Sequence, residues 1–287
     1  MKPIIGVLLE GKTIKVGKIL DGNIIKSCTK IIDNRASKEH VISEVITAID
    51  EVFDKEIEGI GIGVPGLVDL NQGVIYQIQK IPSWKEVHIK DILESRFQVK
   101  VYVNNDANCF AVGEKYFGVA KNYENIVGLI LGSGVGTGVI FKNHLYSGTN
   151  CGAGELGYLQ YKEHDFEYYC STSYFKEKYD LDFKTLYKRA KQDDKIALAI
   201  FEQYGQDLGN LIKAILLVAD PEIIVIGGAI SNAFSFFKKE MFRVVKTFMY
   251  KHVLNNLKIV VSENKNIDVL GASALFYDAQ NNTLKKY

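Results

Sequence analysis

Twice along this chain an apolar hairpin comes first and helices follow, and that repeated order limits the possible folds more than any other feature. Residues 3–9 read as a strand. Residues 13–20 and 23–31 read as two more, joined at Asp21-Gly22-Asn23, a hairpin turn signature. Ser37 can cap a helix whose apolar residues Val41, Val45, Ile49 and Val52 recur at helical spacing. Residues 57–64 read as a buried strand stopped by Pro65-Gly66, 88–97 as a short helix, 100–103 as a strand and 106–117 as a helix. The second round begins near Asn125. Strands are expected at 126–131 and 135–141, helical chain over 171–218, a strand over 222–226, a long helix over 232–251, a strand over 257–261 and a last helix over 270–279. The expectation is an α/β fold of two similar domains facing each other across a cleft.

Composition narrows the function. Of 287 residues, 47% are hydrophobic and 24% charged, a balance that supports a sizeable core. The net charge of +1 provides no global field for nucleic acid or an anionic membrane. Arginine, the better fork for phosphates and base edges, occurs only at positions 35, 96, 189 and 243. Cys28, Cys109, Cys151 and Cys170 form no C-x-x-C pair and are too few for a disulfide scaffold, which points to a reducing compartment. The only apolar run at the N-terminus, Ile4 to Leu9, is too short for a signal sequence, and no stretch reaches membrane-spanning length. A cytoplasmic protein is expected.

Two segments carry chemistry. Val101-Tyr-Val-Asn-Asn-Asp106-Ala-Asn108 has the form of a buried strand that delivers a carboxylate to its C-terminal end. One helix later comes a glycine ladder, Leu131-Gly-Ser-Gly-Val-Gly-Thr-Gly138, a backbone turn able to offer N–H groups to phosphate. A carboxylate facing a phosphate cradle is the minimum equipment for moving a phosphoryl group onto a hydroxyl. Taken singly, each has a plainer reading: Asn-Asp before a helix is an N-cap, and the ladder is a turn between strands. Gly6 to Thr13 matches the letters of a Walker loop, but the residues that follow alternate like a strand. No helix opens at Lys12-Thr13 to receive phosphate, so a true P-loop is rejected.

Five pieces in order resemble the ROK family of repressors, open reading frames and sugar kinases. They are Gly61-Ile-Gly-Val-Pro-Gly-Leu-Val-Asp69, Asn105-Asp-Ala-Asn108, Leu131 to Gly138, Gly152-Ala-Gly-Glu-Leu-Gly157 and Asp220-Pro-Glu-Ile-Ile-Val-Ile-Gly-Gly228. The resemblance covers nearly the whole chain. It implies the actin-like ATPase fold, with duplicated ribonuclease-H-like domains spanning 1–106 plus 267–287 and 107–266. It implies an ATP-dependent kinase, using Mg²⁺, for the 6-OH of a hexose or N-acetylhexosamine such as glucose or N-acetylmannosamine. Asp106 would be the general base. Gly66, Asn105, Glu155, Tyr158 and Glu167 would meet the sugar. Gly132, Ser133, Gly134 and Gly136 would cradle phosphate, and Gly227 and Gly228 would lie against adenosine. A homodimer is implied. The family's repressors carry a helix-turn-helix ahead of the fold, and here the first strand starts at about residue 3, so a nucleic-acid partner is not expected.

This chain departs from the family pattern at two places. The family's opening Asp-x-Gly-Gly-Thr-Lys is degenerate here: Leu8 replaces the aspartate that helps hold hydrated magnesium, leaving Gly11, Lys12 and Thr13 as phosphate candidates, with Glu10 or Lys12 as a partial substitute. The zinc-binding cysteines and histidine are also missing: Tyr158 stands at the histidine position, and His164 with Cys170 cannot complete a tetrahedral site, so no metal-ligating residue and no zinc is expected. Loss of the aspartate motivates an alternative, a weak or inactive sugar-binding sensor.

Overall fold

The computed structural model describes residues 2–284 apart from Gln77, Gln79 and Asn150, with side chains described to Gln280. The last residues of the first expected domain, 285–287, lie outside the described residues. Strands β1 (Ile4–Leu9), β2 (Thr13–Leu20) and β3 (Asn23–Ile31) form an antiparallel meander. Asp21 and Gly22 take φ of 49° and 77°, the left-handed pair that a two-residue hairpin turn requires. Helix α1 (Lys38–Asp50) starts where Ser37 accepts from the His40 N–H, and it buries Val41, Val45, Ala48 and Ile49. Strand β4 (Gly59–Val64) runs parallel to β1. Strands β5 (Leu67–Asp69), β6 (Val74–Tyr76) and β7 (Glu86–Val87) make a small separate sheet. Helix α2 (Ile89–Phe97) then leads to β8 (Lys100–Asn105), parallel to β4.

Helix α3 (Asp106–Tyr116) opens the second round. Strands β9 (Ile126–Leu131), β10 (Val135–Phe141) and β11 (His144–Leu145) again pair antiparallel. A small hairpin, β12 (Gln160–Tyr161) and β13 (His164–Asp165), precedes α4 (Phe166–Cys170), α5 (Thr172–Tyr179), α6 (Phe183–Ala190) and α7 (Lys195–Ala219). Strand β14 (Ile223–Gly227), α8 (Phe234–Val245), α9 (Lys251–Asn256), β15 (Lys258–Val261) and α10 (Ile267–Leu284) complete the chain. The sheet orders are β3-β2-β1-β4-β8 and β11-β10-β9-β14-β15, with two antiparallel and two parallel pairings in each. The fold is therefore α/β with one topology used twice.

Helices α3 and α10 lie between the two sheets. A Cβ on Gly271 would sit 1.7 Å from the Cys109 carbonyl oxygen, so only glycine lets the two helices approach this closely. A single apolar cluster joins Leu8 and Ile19 from the first sheet, Phe110 and Val112 from α3, Leu270 and Leu275 from α10, and Ile126, Ile140 and Val225 from the second. Complete burial of one such side chain contributes about 1.5–3 kcal/mol, so the junction is a packed core.

Three expectations need correction. The helical chain over 171–218 is broken where Asp180 and Asp193 adopt φ of 52° and 57°, and Asp182 and Asp194 then cap new helices. The long helix over 232–251 is a 3-10 turn (Ala229–Ala233), then α8, then a break before α9. The last helix begins three residues before the expected residue 270, which puts Asp268 in its first turn.

Candidate active site

Three asparagines shape the end of β8. Asn105 caps α3 by accepting from the Asn108 N–H at 2.7 Å. Asn104 Oδ1 accepts from the Asn105 N–H at 2.9 Å and from Asn108 Nδ2 at 2.8 Å. With both neighbours bonded inward, half-buried Asp106 stands at the first turn of α3, and its Oδ1 accepts from the Ala107 N–H at 2.9 Å. The next residue fixes its position: a Cβ on Gly136 would lie 2.9 Å from the Ala107 Cβ. Asp106 is thereby one residue from the contact with the glycine hairpin. Loss of hydration pushes its carboxyl above the ordinary range; the Ala107 N–H and the Lys80 ammonium pull it down, and Glu10 pushes it up. A carboxylate made more basic in this way suits proton abstraction from a hydroxyl.

The glycine turn between β9 and β10 is held from behind. The Gly132 N–H donates to the Gly134 carbonyl at 3.0 Å, and the Thr172 N–H donates to the Gly132 carbonyl at 2.7 Å. Ser173 Oγ donates to the Ser133 carbonyl at 3.3 Å. Glu167 Oε2 accepts from the Val135 N–H at 2.9 Å. On the other side there is room, because no atom lies within 4 Å of where a Gly132 Cβ would stand. Gly227 and Gly228 adjoin this turn. Gly228 has φ of 83°, and its Cβ would sit 2.4 Å from the Leu131 carbonyl oxygen.

Gly11, Lys12 and Thr13 form the bend of the first hairpin. Gly11 has φ of 78°, and the Glu10 N–H donates to the Thr13 carbonyl at 2.8 Å. Strand β2 starts at Thr13, where a Walker loop needs a helix. Leu8 is 2% exposed and belongs to the core. The Glu10 carboxylate pairs with Lys15 at 2.8 Å, and Lys12 is exposed.

Three of the sugar candidates, Glu155, Tyr158 and Glu167, lie near one another. Gly66 follows β4 with φ of 123°. The half-buried Glu155 carboxyl is pushed up by burial, by Glu167 and by Asp106. The Tyr158 phenol, 61% exposed, is pushed up first by Glu167, then by burial, Glu155 and Asp165. These effects put Glu155, Tyr158 and Glu167 in one electrostatic neighbourhood, which Glu155 links to Asp106. The segment bearing them is tied to α7 by buried Asp207, which accepts from Tyr161 OH at 3.0 Å, Lys162 Nζ at 2.5 Å and Gln203 Nε2 at 3.1 Å. His164 stacks on Tyr168 with ring centroids 4.0 Å apart, and Cys170 is fully buried. Among the described residues no group of three His, Cys, Asp or Glu side chains could hold a metal ion. No helix is long and apolar enough to cross a membrane, again among the described residues.

Two residues escaped the sequence reading. Lys80 lies in the loop between β6 and β7, where nothing local marks it, and its Nζ donates to Ser133 Oγ at 3.3 Å. Asp268 falls ahead of the last helix expected from the sequence. In the structure its carboxyl is pushed up to about 7 by burial, with Glu10 and Asp106 adding and Lys15 opposing.

The family model described as "ROK family" matches residues 11–279. A glucokinase of Thermotoga maritima is 30% identical over 95% of this chain and 96% of that protein. A xylose repressor of Bacillus spizizenii is 30% identical over 76% of this chain, and the match spans 60% of the repressor's length. The crystal structure of a ROK family glucokinase from Streptomyces griseus, in complex with glucose and AMPPNP, superposes with a TM-score of 0.80 at 22% identity, covering 95% of this chain and 98% of that one.

Proposed function

This chain belongs to the ROK family, and from that premise we propose that it is an ATP-dependent kinase acting on the 6-OH of a hexose or N-acetylhexosamine such as glucose or N-acetylmannosamine. The observation that supports this reading is the packing of Ala107, the residue after Asp106, against Gly136 of the open glycine turn. In the reaction, Asp106 takes the proton from the sugar hydroxyl as its oxygen bonds to the terminal phosphorus. The bond from that phosphorus to the bridging oxygen breaks, and ADP leaves with the electron pair.

Each remaining residue has a positional part. Gly132, Ser133, Gly134 and Gly136 cradle the phosphates from one side, with Gly11, Lys12 and Thr13 on the other. Gly227 and Gly228 leave backbone for the adenosine to lie against. Asn105, Gly66, Glu155 and Tyr158 orient the sugar. Glu167 does so with the carboxylate oxygen not bonded to Val135. Bound magnesium would supply charge neutralisation on a nucleotide's phosphates and would be held by one or two protein carboxylates. Leu8 is apolar and buried, so the first hairpin offers no carboxylate at that position, and Asp106 would be the residue to hold the ion.

Closure of 1–106 plus 267–287 onto 107–266 would exclude water and limit wasteful hydrolysis. The acceptor is a small sugar rather than nucleic acid, in keeping with a net charge of +1. The working form is a homodimer, for which Leu217 and Met249, 61% and 68% exposed, offer an apolar face; sedimentation at equilibrium reads this directly.

Buried Leu8 favours one other reading, a sensor that binds sugar or nucleotide without turnover. A thermal-shift panel of hexoses and N-acetylhexosamines, run with and without Mg-ATP beside an ADP-release assay, separates the two. The kinase reading expects both a shift and ADP release for at least one sugar. Stabilisation by a sugar with no ADP release from any sugar would replace it with the sensor.

A further inference from the structure

We propose that Lys80 is a phosphate-binding residue of this cleft: its ammonium, set between Gly11 of the first hairpin and Ser133 of the glycine turn, grips the phosphate chain and the phosphoryl group in transit. This rests on the kinase reading and extends it to a residue that no motif marked.

The loop is built to present this side chain. Ile78, Ile81 and Trp84 are buried, whereas Lys80 is exposed. The Ile81 N–H donates to the Ile78 carbonyl at 3.1 Å, the Trp84 N–H to the Ile81 carbonyl at 2.9 Å, and the Ile78 N–H to the Trp84 carbonyl at 3.2 Å. Asn34 Nδ2 donates to the Lys80 carbonyl at 2.6 Å, which fixes the backbone from outside. The aliphatic stem then lies across Gly11, where an added Cβ would meet the Lys80 Cβ at 2.9 Å. Beyond the stem, the ammonium crosses to the other half of the molecule and donates to Ser133 Oγ at 3.3 Å.

The charge is otherwise unused. Among the described residues Lys80 makes no ion pair, whereas Lys15, Lys18 and Lys30 of the neighbouring sheet each pair with a carboxylate. An ammonium with three donors, held by one neutral hydroxyl over a turn of backbone amides, is an anion site in waiting. Asp106 feels the positive charge, which puts the cation within electrostatic reach of the base. A phosphate chain lying on the glycine turn would meet Lys80 from above, and the ammonium would offset charge on its oxygens during transfer. The hydroxyl proton goes to Asp106, so Lys80 takes no part in the proton transfer.

The test uses Lys80→Met and Lys80→Arg in the full chain. Melting temperatures are expected to match wild type, since the side chain is exposed. Lys80→Met is expected to lower kcat/KM for phosphoryl transfer about 100-fold or more, leave the KM for sugar unchanged and weaken binding of inorganic tripolyphosphate in calorimetry. Lys80→Arg should recover a large part of both, and the affinity for tripolyphosphate should fall with added salt more steeply in wild type than in Lys80→Met. Unchanged kcat/KM in Lys80→Met, with wild-type turnover in hand, overturns the assignment and leaves the kinase reading intact. If wild type turns over no sugar, the kinase reading falls instead. The tripolyphosphate arm then decides Lys80 alone: equal affinity in wild type and Lys80→Met overturns the proposal, and weaker affinity in the variant upholds it.

Discussion

Ala107 and Gly136 touch, with the Ala107 methyl 2.9 Å from where a Gly136 Cβ would stand, so the first turn of α3 is seated on the glycine hairpin. The residue before Ala107 is the candidate base, and the residues before Gly136 form the candidate phosphate turn. One close packing contact therefore sets the distance between the two halves of the chemistry.

Gly136→Ala should separate them. The new methyl needs the neighbour to move, at a cost of about 1–3 kcal/mol by overpacking. Turnover is expected to fall ten-fold or more, because small misplacements of reacting groups are costly. Adding Ala107→Gly removes the clash and should restore much of the activity. Urea denaturation and ADP release on the single and double variants check this.

Asp268 should give the fold a pH signature. Burial raises its carboxyl from the ordinary aspartate range to about 7 in the fold, so folding favours the protonated form. That contribution is fully present below about pH 4, the range where a free aspartate ionises, and is lost as pH rises through about 7. Asp268→Asn cannot ionise. Its melting temperature relative to wild type is expected to climb between pH 5 and pH 8, and a difference that stays flat would place the titration elsewhere.

Glu167 has a second duty in the structure, accepting from the Val135 N–H at the end of the glycine turn. Glu167→Gln keeps an acceptor there, and Glu167→Ala does not. Loss of a hydrogen bond to a charged acceptor costs about 1.5–3 kcal/mol. Glu167→Ala is therefore expected to raise the KM for nucleotide and lower the melting temperature more than Glu167→Gln. Both variants should weaken sugar binding if the second oxygen reads the sugar, which titration calorimetry with sugar alone measures.

Asp207 is 1% exposed and relies on Lys162, Tyr161 and Gln203 for its charge. Lys162→Met leaves that carboxylate with neutral partners only. Lys162 is 43% exposed, so solvent screening tempers the loss to about 1–2 kcal/mol. Asp207→Leu in the same background should recover part of it, because an unpaired buried charge is then gone. Chemical denaturation of both variants reads the difference.

The sequence carried the parts whose causes are local. The Asp21-Gly22 turn fixed β2 and β3 to the residue, and β9 and β10 followed from alternation around the glycines. The breaks between α5, α6 and α7 did not show, because aspartates in left-handed backbone at 180 and 193 sit within apolar periodicity that continues past them. Strands β5, β6 and β7 pair only with one another and are two or three residues long, too short for alternation to mark them. The chemistry divides in the same way. Asp106 and Gly132 to Gly136 stand in readable motifs. Lys80 reaches Ser133 across 53 positions of sequence, and only folding brings the two together.

The proposed reaction depends on the carboxylate at position 106. ADP release by wild type and by Asp106→Asn should be compared with the sugar that stabilises the protein most, at saturating Mg-ATP. Measurable turnover is expected for wild type, with a loss of about 100-fold to 10,000-fold in the variant and little change in its melting temperature or sugar affinity. Equal turnover in the two proteins would contradict it.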